Sequence, residues 1–358
     1  MIIGACGFGS TGSSVITDYL KEYDDIQVKD DFEMTWVSGT DGLIDLERAV
    51  MNPHCRTADS ILAINRYLER AQRCANEYYE HGMDKKEFLD SSRKLIDSIT
   101  TTKWYWKDNR DSFTYKSKYF FRAFVLYKII PKIEQKKGKH VQGWPLKEVR
   151  LSVRPENFYA DAKLHVEEIL KGVGLDTNGI IAMDQPFAGN NPQACFPFFD
   201  DPYAVVVDRD PRDNYVFART RMLGRFHFMP INDVESFIAY YKALRKHQPY
   251  LNDDKRILRI KFEEMVYEYE ETTNKVRKFL NLPTNPRPKS VFDPELSKAN
   301  TQVFKRFPHF SDDIKKIEQE LAEYLYDFSR FPEPDFSKKM FYGKSPLHEA
   351  FNKSFSEK

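Results

Sequence analysis

The sequence predicts an α/β fold with a three-layer parallel sheet, flanking helices and a large helical insertion. Two observations carry this prediction. Short apolar segments that end in polar residues, such as 179–184 and 203–208, are typical of strands buried on both faces of a parallel sheet. Segments with helical apolar spacing alternate with these strands, and that alternation favours parallel pairing through right-handed crossovers.

The elements follow in chain order. The first strand is predicted at 2–7, and a helix with apolar residues at helical spacing follows at 13–23. Apolar residues three and four positions apart then predict helices at 41–50, 58–79, 85–99, 118–133 and 155–171. Strands are predicted at 179–184, 203–208 and 256–262, and a last helix at 312–328. We predict one domain over 1–358, with a mainly helical insertion at 40–172 and a C-terminal tail at 332–358.

The composition excludes a role driven by overall charge. The 358 residues carry 55 Lys and Arg against 54 Asp and Glu, a net charge of +1. Coating nucleic acid or an anionic membrane draws on many uncompensated cations, so no nucleic-acid partner is expected. No stretch approaches the roughly 20 apolar residues that span a bilayer. The four cysteines lie far apart, which argues against a disulfide framework or a zinc site, and we expect a soluble, cytoplasmic protein.

The densest chemical signal is the segment Gly7-Phe-Gly-Ser-Thr-Gly-Ser-Ser14, between a predicted strand and helix. Glycines allow the backbone to approach an anion, and successive N–H groups can surround it. Gly7 and Gly12 have the spacing of a Walker A loop, but Ser13 stands where that loop has Lys. The segment predicts a phosphate or sulfate site, and the alternative is a tight turn capped by serine.

The second signal is Asp208-Arg-Asp-Pro-Arg-Asp213, which follows the apolar strand at 203–208. Pro211 suits the first turn of a helix, and Asp210 can cap that helix. Arg209 is then left at the carboxyl end of the strand, where open α/β sheets bind ligands. A guanidinium there is suited to a phosphate, and the alternative is a surface network of salt bridges.

With these segments in this order, the chain resembles a divergent member of the sulfotransferases that use 3′-phosphoadenosine 5′-phosphosulfate (PAPS). The strand end at 261–265, the Phe-Leu-Asn-Leu at 279–282 and the Ser/Asn segment at 297–305 are similar to further segments of that family. The resemblance implies a P-loop-like nucleotide-binding core, in which the loop binds the 5′-phosphosulfate and the later segments bind the 3′-phosphate. The implied donor-binding residues are Gly9, Ser10, Thr11, Gly12, Ser13, Ser14, Arg209, Asn300 and Lys305. Where the family loop has Lys or Arg, this chain has Ser10.

The resemblance implies in-line attack of an acceptor hydroxyl or amine on the sulfur of PAPS, without a metal. Asp184, at a predicted strand end, is the first candidate for the general base, with His227 and Glu33 as further candidates. Hydroxyl donors such as Ser10 would stabilise the sulfuryl oxygens. The acceptor is expected to be a small molecule or a glycan, with a glycan favoured.

Two alternatives stay open. One is a P-loop kinase or nucleotide hydrolase with an atypical Walker A loop, in which Asp208 would bind magnesium. The other is a nucleotide-binding module without turnover, which Ser10 and Phe217 favour because the family has a basic residue and a serine at these positions.

Overall fold

The computed structural model describes residues 1–52, 58–106, 124–138, 147–221, 229–246, 254–338 and 340. The strands in this part of the chain are β1 (Ile2–Cys6), β2 (Ile26–Lys29), β3 (Thr102–Trp106), β4 (Lys147–Leu151), β5 (Ile180–Asp184), β6 (Pro202–Asp208) and β7 (Ile257–Lys261).

The first helices along the chain are α1 (Ser14–Leu20), α2 (Leu43–Met51), α3 (Ala58–Glu80), α4 (Lys85–Ile99), α5 (Ile130–Lys137) and α6 (Phe158–Gly172). A π-helical turn at Val125–Ile129 precedes α5. The later helices are α7 (Pro211–Arg221), α8 (Val234–Arg245), α9 (Phe262–Tyr267), α10 (Tyr269–Phe279), α11 (Pro294–Ser297) and α12 (Ser311–Glu320). None of the described helices is long and apolar enough to cross a membrane.

The chain divides into two compact units. The first comprises Met1–Gly39, His81–Met83 and Val166–Lys358, and the second comprises Thr40–Glu80 and Asp84–His165.

The first unit contains a five-stranded sheet in the order β2-β5-β1-β6-β7, in which every pairing is parallel. The predicted α/β fold with a parallel sheet and flanking helices is therefore confirmed. Since β1 is central, the segment after it lies at the carboxyl edge of the sheet, between the ends of β5 and β6. This edge is where open α/β sheets bind their ligands.

The two faces of this sheet have different cover. Ile3 and Ala5 of β1 belong to a buried apolar cluster with residues of α1, α9 and α10. On the opposite face, the ring of Phe187 covers Gly4 so closely that a Cβ at Gly4 would lie 2.4 Å from it. Phe187 also contacts the ring of Phe196 edge to face, with centroids 5.3 Å apart. Burial on both faces explains why these strands are apolar throughout.

The second unit contains the antiparallel pair β3 and β4, together with α2 to α5. His165 is a buried polar residue of this unit, and it hydrogen-bonds to two others. Its Nε2 lies 2.7 Å from the hydroxyl of Tyr67, and its Nδ1 lies 2.6 Å from Oγ of Ser91. These bonds join α3, α4 and the first half of α6, and they satisfy polar groups that would otherwise be costly to bury.

Some sequence-based boundaries were wrong. The helix predicted at 312–328 ends at Glu320, and separate 3-10 turns follow at Ala322–Tyr324 and Phe328–Arg330. The strands β2, β3 and β4 were not predicted, because their polar and aromatic residues do not form an apolar segment. Part of the helix predicted at 118–133 lies outside the described residues. The role of 40–172 as an acceptor-side insertion stays a prediction.

Candidate active site

The loop between β1 and α1 turns through residues with positive φ. Gly9 and Gly12 have φ values of 85° and 84°, and Ser10 has a φ of 55°. A Cβ at Gly12 would lie only 2.7 Å from the ring of Phe262, so glycine is required there by both conformation and space. The described residues offer no acceptor to the backbone N–H groups at positions 12–14. These N–H groups are the part of the loop that can bind an anion.

The loop is held from β5 by Gln185, the residue that follows this strand. The side-chain oxygen of Gln185 accepts a hydrogen bond from the Gly7 N–H at 3.2 Å, and its nitrogen donates to Oγ of Ser13 at 2.9 Å. Within the loop, Oγ1 of Thr11 accepts from the Phe8 N–H at 3.1 Å. The Ser13 hydroxyl therefore acts as an acceptor toward Gln185 and keeps its own proton for a ligand.

The loop is held from β6 by Arg209 and Asn214. Nη1 of Arg209 donates to the carbonyl of Ser10 at 3.3 Å, and Nη2 donates to the carbonyl of Asn300. Nδ2 of Asn214 donates to the carbonyl of Gly9 at 3.0 Å. Arg209 is 3% exposed, and these two bonds use two of the five N–H groups of its guanidinium.

The segment that contains Asn300 and Lys305 lies beside this guanidinium. Asn300 is buried and reaches Arg209 through its backbone carbonyl. Nζ of Lys305 lies 2.8 Å from the side-chain oxygen of Gln302 and 2.9 Å from a carboxylate oxygen of Glu333. A phosphate bound by Lys305 would have to compete with Glu333 for the ammonium group.

Asp184 ends β5 and pairs in register with Ala5 of β1, next to the loop. Its side chain is 7% exposed, and Oδ1 has no hydrogen-bond partner in the described part of the chain. Burial, reinforced by the charges of Glu33 and Asp30, raises the pKa of Asp184 to about 8. The carboxyl group is therefore mostly protonated at pH 7, and it becomes a proton acceptor as the pH rises.

A second group of buried carboxyls surrounds Arg209 from the side of α7 and α9. Asp213 and Glu263 are both 0% exposed, and burial raises the pKa of each. Each has one oxygen that accepts a backbone N–H, from Phe304 and Asp210 respectively. These carboxyls remain compatible with burial because they can hold a proton beside the positively charged Arg209.

Asp208, the last residue of β6, binds the guanidinium of Arg245 with both carboxylate oxygens. The ring of Phe8 covers that guanidinium, with its centroid 4.2 Å from Cζ. This ion pair occupies the carboxylate that would bind magnesium in a P-loop kinase. No cluster of three or more acidic, histidine or cysteine side chains suited to a metal is found in the described ranges.

The structure thus places Arg209 and Asn300 beside the loop that contains Gly9 to Ser14, at the carboxyl edge of the sheet, with Asp184 at the end of a neighbouring strand. His227 lies outside the described residues. Sequence analysis missed Gln185 and Asn214 as loop supports. The available signal was their position in the chain: Gln185 directly follows β5, and Asn214 lies in the helix that follows β6. Both β5 and β6 are neighbours of β1 in the sheet.

Comparison with family models finds no match, and comparison with curated proteins finds no match either. Among solved structures, the chain is similar to a sulfotransferase domain from the curacin biosynthetic pathway, with a TM-score of 0.37 and 12% identity over 91% of this chain and 98% of that chain. It is also similar to sulfotransferase STF9 from Mycobacterium avium, with a TM-score of 0.35 and 12% identity over 94% of this chain and 78% of that chain. Both scores lie below 0.5 and carry no argument about the activity of this chain.

Proposed function

We propose that this protein is a sulfotransferase that moves a sulfuryl group from PAPS to an acceptor hydroxyl and releases adenosine 3′,5′-bisphosphate. The observation that carries the proposal is the guanidinium of Arg209, which hydrogen-bonds to the carbonyls of Ser10 and Asn300. The three segments that resemble the donor-binding segments of the family are therefore neighbours, although Arg209 is separated from Asn300 by 91 positions and from Ser10 by 199.

The loop has the donors that a 5′-phosphosulfate needs. The backbone N–H groups at 12–14 find no acceptor among the described residues, and the Ser13 hydroxyl retains a proton. Nε of Arg209 is buried without an acceptor among those residues, so an anion beside it would relieve an unsatisfied donor. Asn300 and Lys305 would bind the 3′-phosphate on the other side of Arg209.

The proposed reaction needs a base on the acceptor side. A lone pair of the acceptor oxygen forms a bond to sulfur, while the bond from sulfur to the bridging oxygen of the 5′-phosphate breaks and that oxygen keeps the electron pair. The acceptor proton passes to the carboxylate of Asp184. Because the pKa of Asp184 is raised to about 8, the rate should increase with pH up to that value. The N–H groups of the loop would stabilise the charge on the transferring group.

The kinase alternative receives less support from the site. It would require Asp208 to bind magnesium, but Arg245 already binds both oxygens of that carboxylate. A nucleotide-binding module without turnover would share the loop and Arg209, and only a transfer assay separates it from an enzyme. The acceptor is proposed to be a glycan, as the sequence analysis expects.

The first test is ligand-dependent thermal stability. Adenosine 3′,5′-bisphosphate should raise Tm, because a ligand that binds only the folded state stabilises it by mass action. Replacing Arg209 by Lys keeps the charge but cannot keep both carbonyl bonds, so the Tm increase should shrink. Arg256→Lys is the matched control, since Arg256 pairs with Asp254 just before β7 and its guanidinium lies over the ring of Phe196.

A stabilisation seen with ATP and magnesium and absent with the bisphosphate would overturn the proposal in favour of a kinase or hydrolase. Transfer of radiolabelled sulfuryl groups from PAPS to a panel of glycans and small alcohols then tests turnover. Bisphosphate binding without transfer to any member of that panel would favour the non-catalytic module.

A further inference from the structure

Arg259 is a half-buried cation near the carboxyl end of the sheet, and sequence analysis did not single it out. It lies on the edge strand β7 and pairs in register with Val206 of β6, which pairs with Cys6 of β1. Residues in one such row point to the same face of a sheet. The side chain of Arg259 therefore extends across β6 on the face opposite α1, toward the start of the loop.

The guanidinium of Arg259 reaches the backbone beneath the loop. Its Nη1 lies 3.4 Å from the carbonyl of Gly189. Gly189 in turn packs against the first loop residue so tightly that a Cβ there would lie 2.2 Å from the carbonyl oxygen of Gly7. The backbone of Gly189 therefore lies between the guanidinium of Arg259 and Gly7, the first residue of the loop.

This guanidinium is poorly satisfied. Its Nε and Nη2 are buried, and neither has a hydrogen-bond partner within the described ranges. The nearest opposite charge is Asp208, whose two oxygens are occupied by Arg245. Burial lowers the pKa of Arg259, which means that its environment does not compensate the charge. Because two buried donors without a partner cost folding free energy, stability does not explain the presence of this side chain.

Other cations near this edge of the sheet are bound more fully by the protein. Each binds at least one carboxylate or two carbonyl oxygens; the group comprises Lys29, Arg209, Arg212, Arg245, Lys261 and Lys305. Arg209 has one unpartnered nitrogen, whereas Arg259 has two and only one long contact. Compared with these six cations, Arg259 therefore has the fewest hydrogen-bond and ion-pair partners among the described residues.

We propose that Arg259 supplies, from beneath the loop, the positive charge that Ser10 does not provide within it. The inference rests on the proposed function. Arg259 is a positioning residue: it acts through Gly189 and Gly7 on the 5′ end of the donor and does not touch the reacting atoms. Because the protein between them is less polarisable than water, a charge one residue away from an anion still favours binding, and removal of that charge should weaken 5′-phosphate binding about tenfold.

The test compares two ligands that differ only in the 5′ group, adenosine 3′,5′-bisphosphate and adenosine 3′-phosphate. Arg259→Met should raise the Kd of the bisphosphate about tenfold and leave that of the 3′-phosphate unchanged. Arg259→Lys should retain affinity to within about threefold. Arg256→Met, which removes a cation with a carboxylate partner from the same strand region, is the control and should change neither Kd.

Stability of the ligand-free protein separates this role from a structural one. Because Arg259→Met removes two buried donors that have no partner in the described ranges, it should leave Tm unchanged or raise it, whereas a structural arginine would lower Tm when replaced. An equal loss for both ligands, no loss for either, or a lower Tm overturns the inference. If Arg259→Met does not fold, that result is itself a structural role and counts against it.

Failure of the proposed function has a different signature. In that case the wild-type protein binds neither adenosine ligand, and the inference falls with it. A wild-type protein that binds the bisphosphate, together with an unchanged Arg259→Met variant, rejects only the role of Arg259.

Discussion

Replacement of Asp184 by Asn should make the protein more stable and less active. The side chain is 7% exposed at the end of β5, and Oδ1 has no partner in the described part of the chain. Asparagine has nearly the same shape but never ionises. The substitution therefore removes the charge penalty and leaves the packing of the strand end in place.

The size of the effect follows from the pKa difference between the two states. In the unfolded chain Asp184 loses its proton near its ordinary pKa of 3.8, whereas in the folded protein burial raises the pKa to about 8. Between these values the unfolded state binds fewer protons than the folded state, so Asp184 lowers the free energy of unfolding by about 1.4 kcal/mol for each pH unit. From pH 5 to pH 7 this amounts to about 3 kcal/mol.

Urea denaturation of the wild type and Asp184→Asn at pH 5, 6 and 7 measures this contribution. The stability advantage of the variant should grow with pH by about 3 kcal/mol over this range, while other buried carboxyls cancel in the comparison. Asp25→Asn removes an exposed carboxylate close in sequence to β2 and is the control. If the advantage of Asp184→Asn is also independent of pH, Asp184 ionises like an exposed carboxylate and the argument for a raised pKa fails.

Three further substitutions test the loop and its surroundings. Gly12→Ala should lower the free energy of unfolding by at least about 1–3 kcal/mol and abolish bisphosphate binding, because alanine is strained at a φ of 84° and its Cβ meets Phe262. Urea denaturation measures the stability and the ligand-dependent Tm shift measures binding; unaltered values would show that the loop adapts. Glu22→Gln should lower the free energy of unfolding, measured by urea denaturation, by about 2–4 kcal/mol. The fully buried Glu22 side chain accepts hydrogen bonds from two backbone N–H groups and a side-chain amide of the 285–292 segment. A loss below about 1 kcal/mol would contradict this. Lys305→Met should raise the bisphosphate Kd about tenfold and change stability by less than about 1 kcal/mol, since its ammonium is partly exposed; an unchanged Kd would remove Lys305 from the donor site.

The strands and the loop could be predicted because their physical causes are local. A strand buried on both faces must be apolar along its length, and a backbone that turns around an anion needs glycine, so β1, β5, β6 and the loop are visible in the sequence. Strand β2 was missed because Gln27 and Lys29 interrupt its apolar residues. The pairing of β2 with β5 supplies backbone hydrogen bonds that no local pattern records.

The pairing of charges could not be predicted in the same way. Arg209 was expected to present its guanidinium to a phosphate, because its residue type and its place after β6 suit that role. That role stays a prediction, and the structure adds contacts that were not foreseen: two nitrogens of Arg209 donate to carbonyls from segments 199 and 91 positions away, which depends on the strand order. Residue type identifies which groups are charged, while the topology decides which partners they meet.

Ser10 leaves the loop without a basic side chain at the position where the resembling family has one. A loop without its own cation suggests a weak anion site if only neighbouring residues are considered. However, every charge near the carboxyl edge of a sheet changes the free energy with which an anion binds there. These charges act over longer distances than in water because the protein interior is less polarisable. Arg209 and Arg259 approach the loop from β6 and β7, and neither is fully satisfied by the described residues. The buried Nε of Arg209 has no acceptor among the described residues, and an anion beside it would relieve that cost. In the proposed site the positive charge therefore comes from the strands beside the loop.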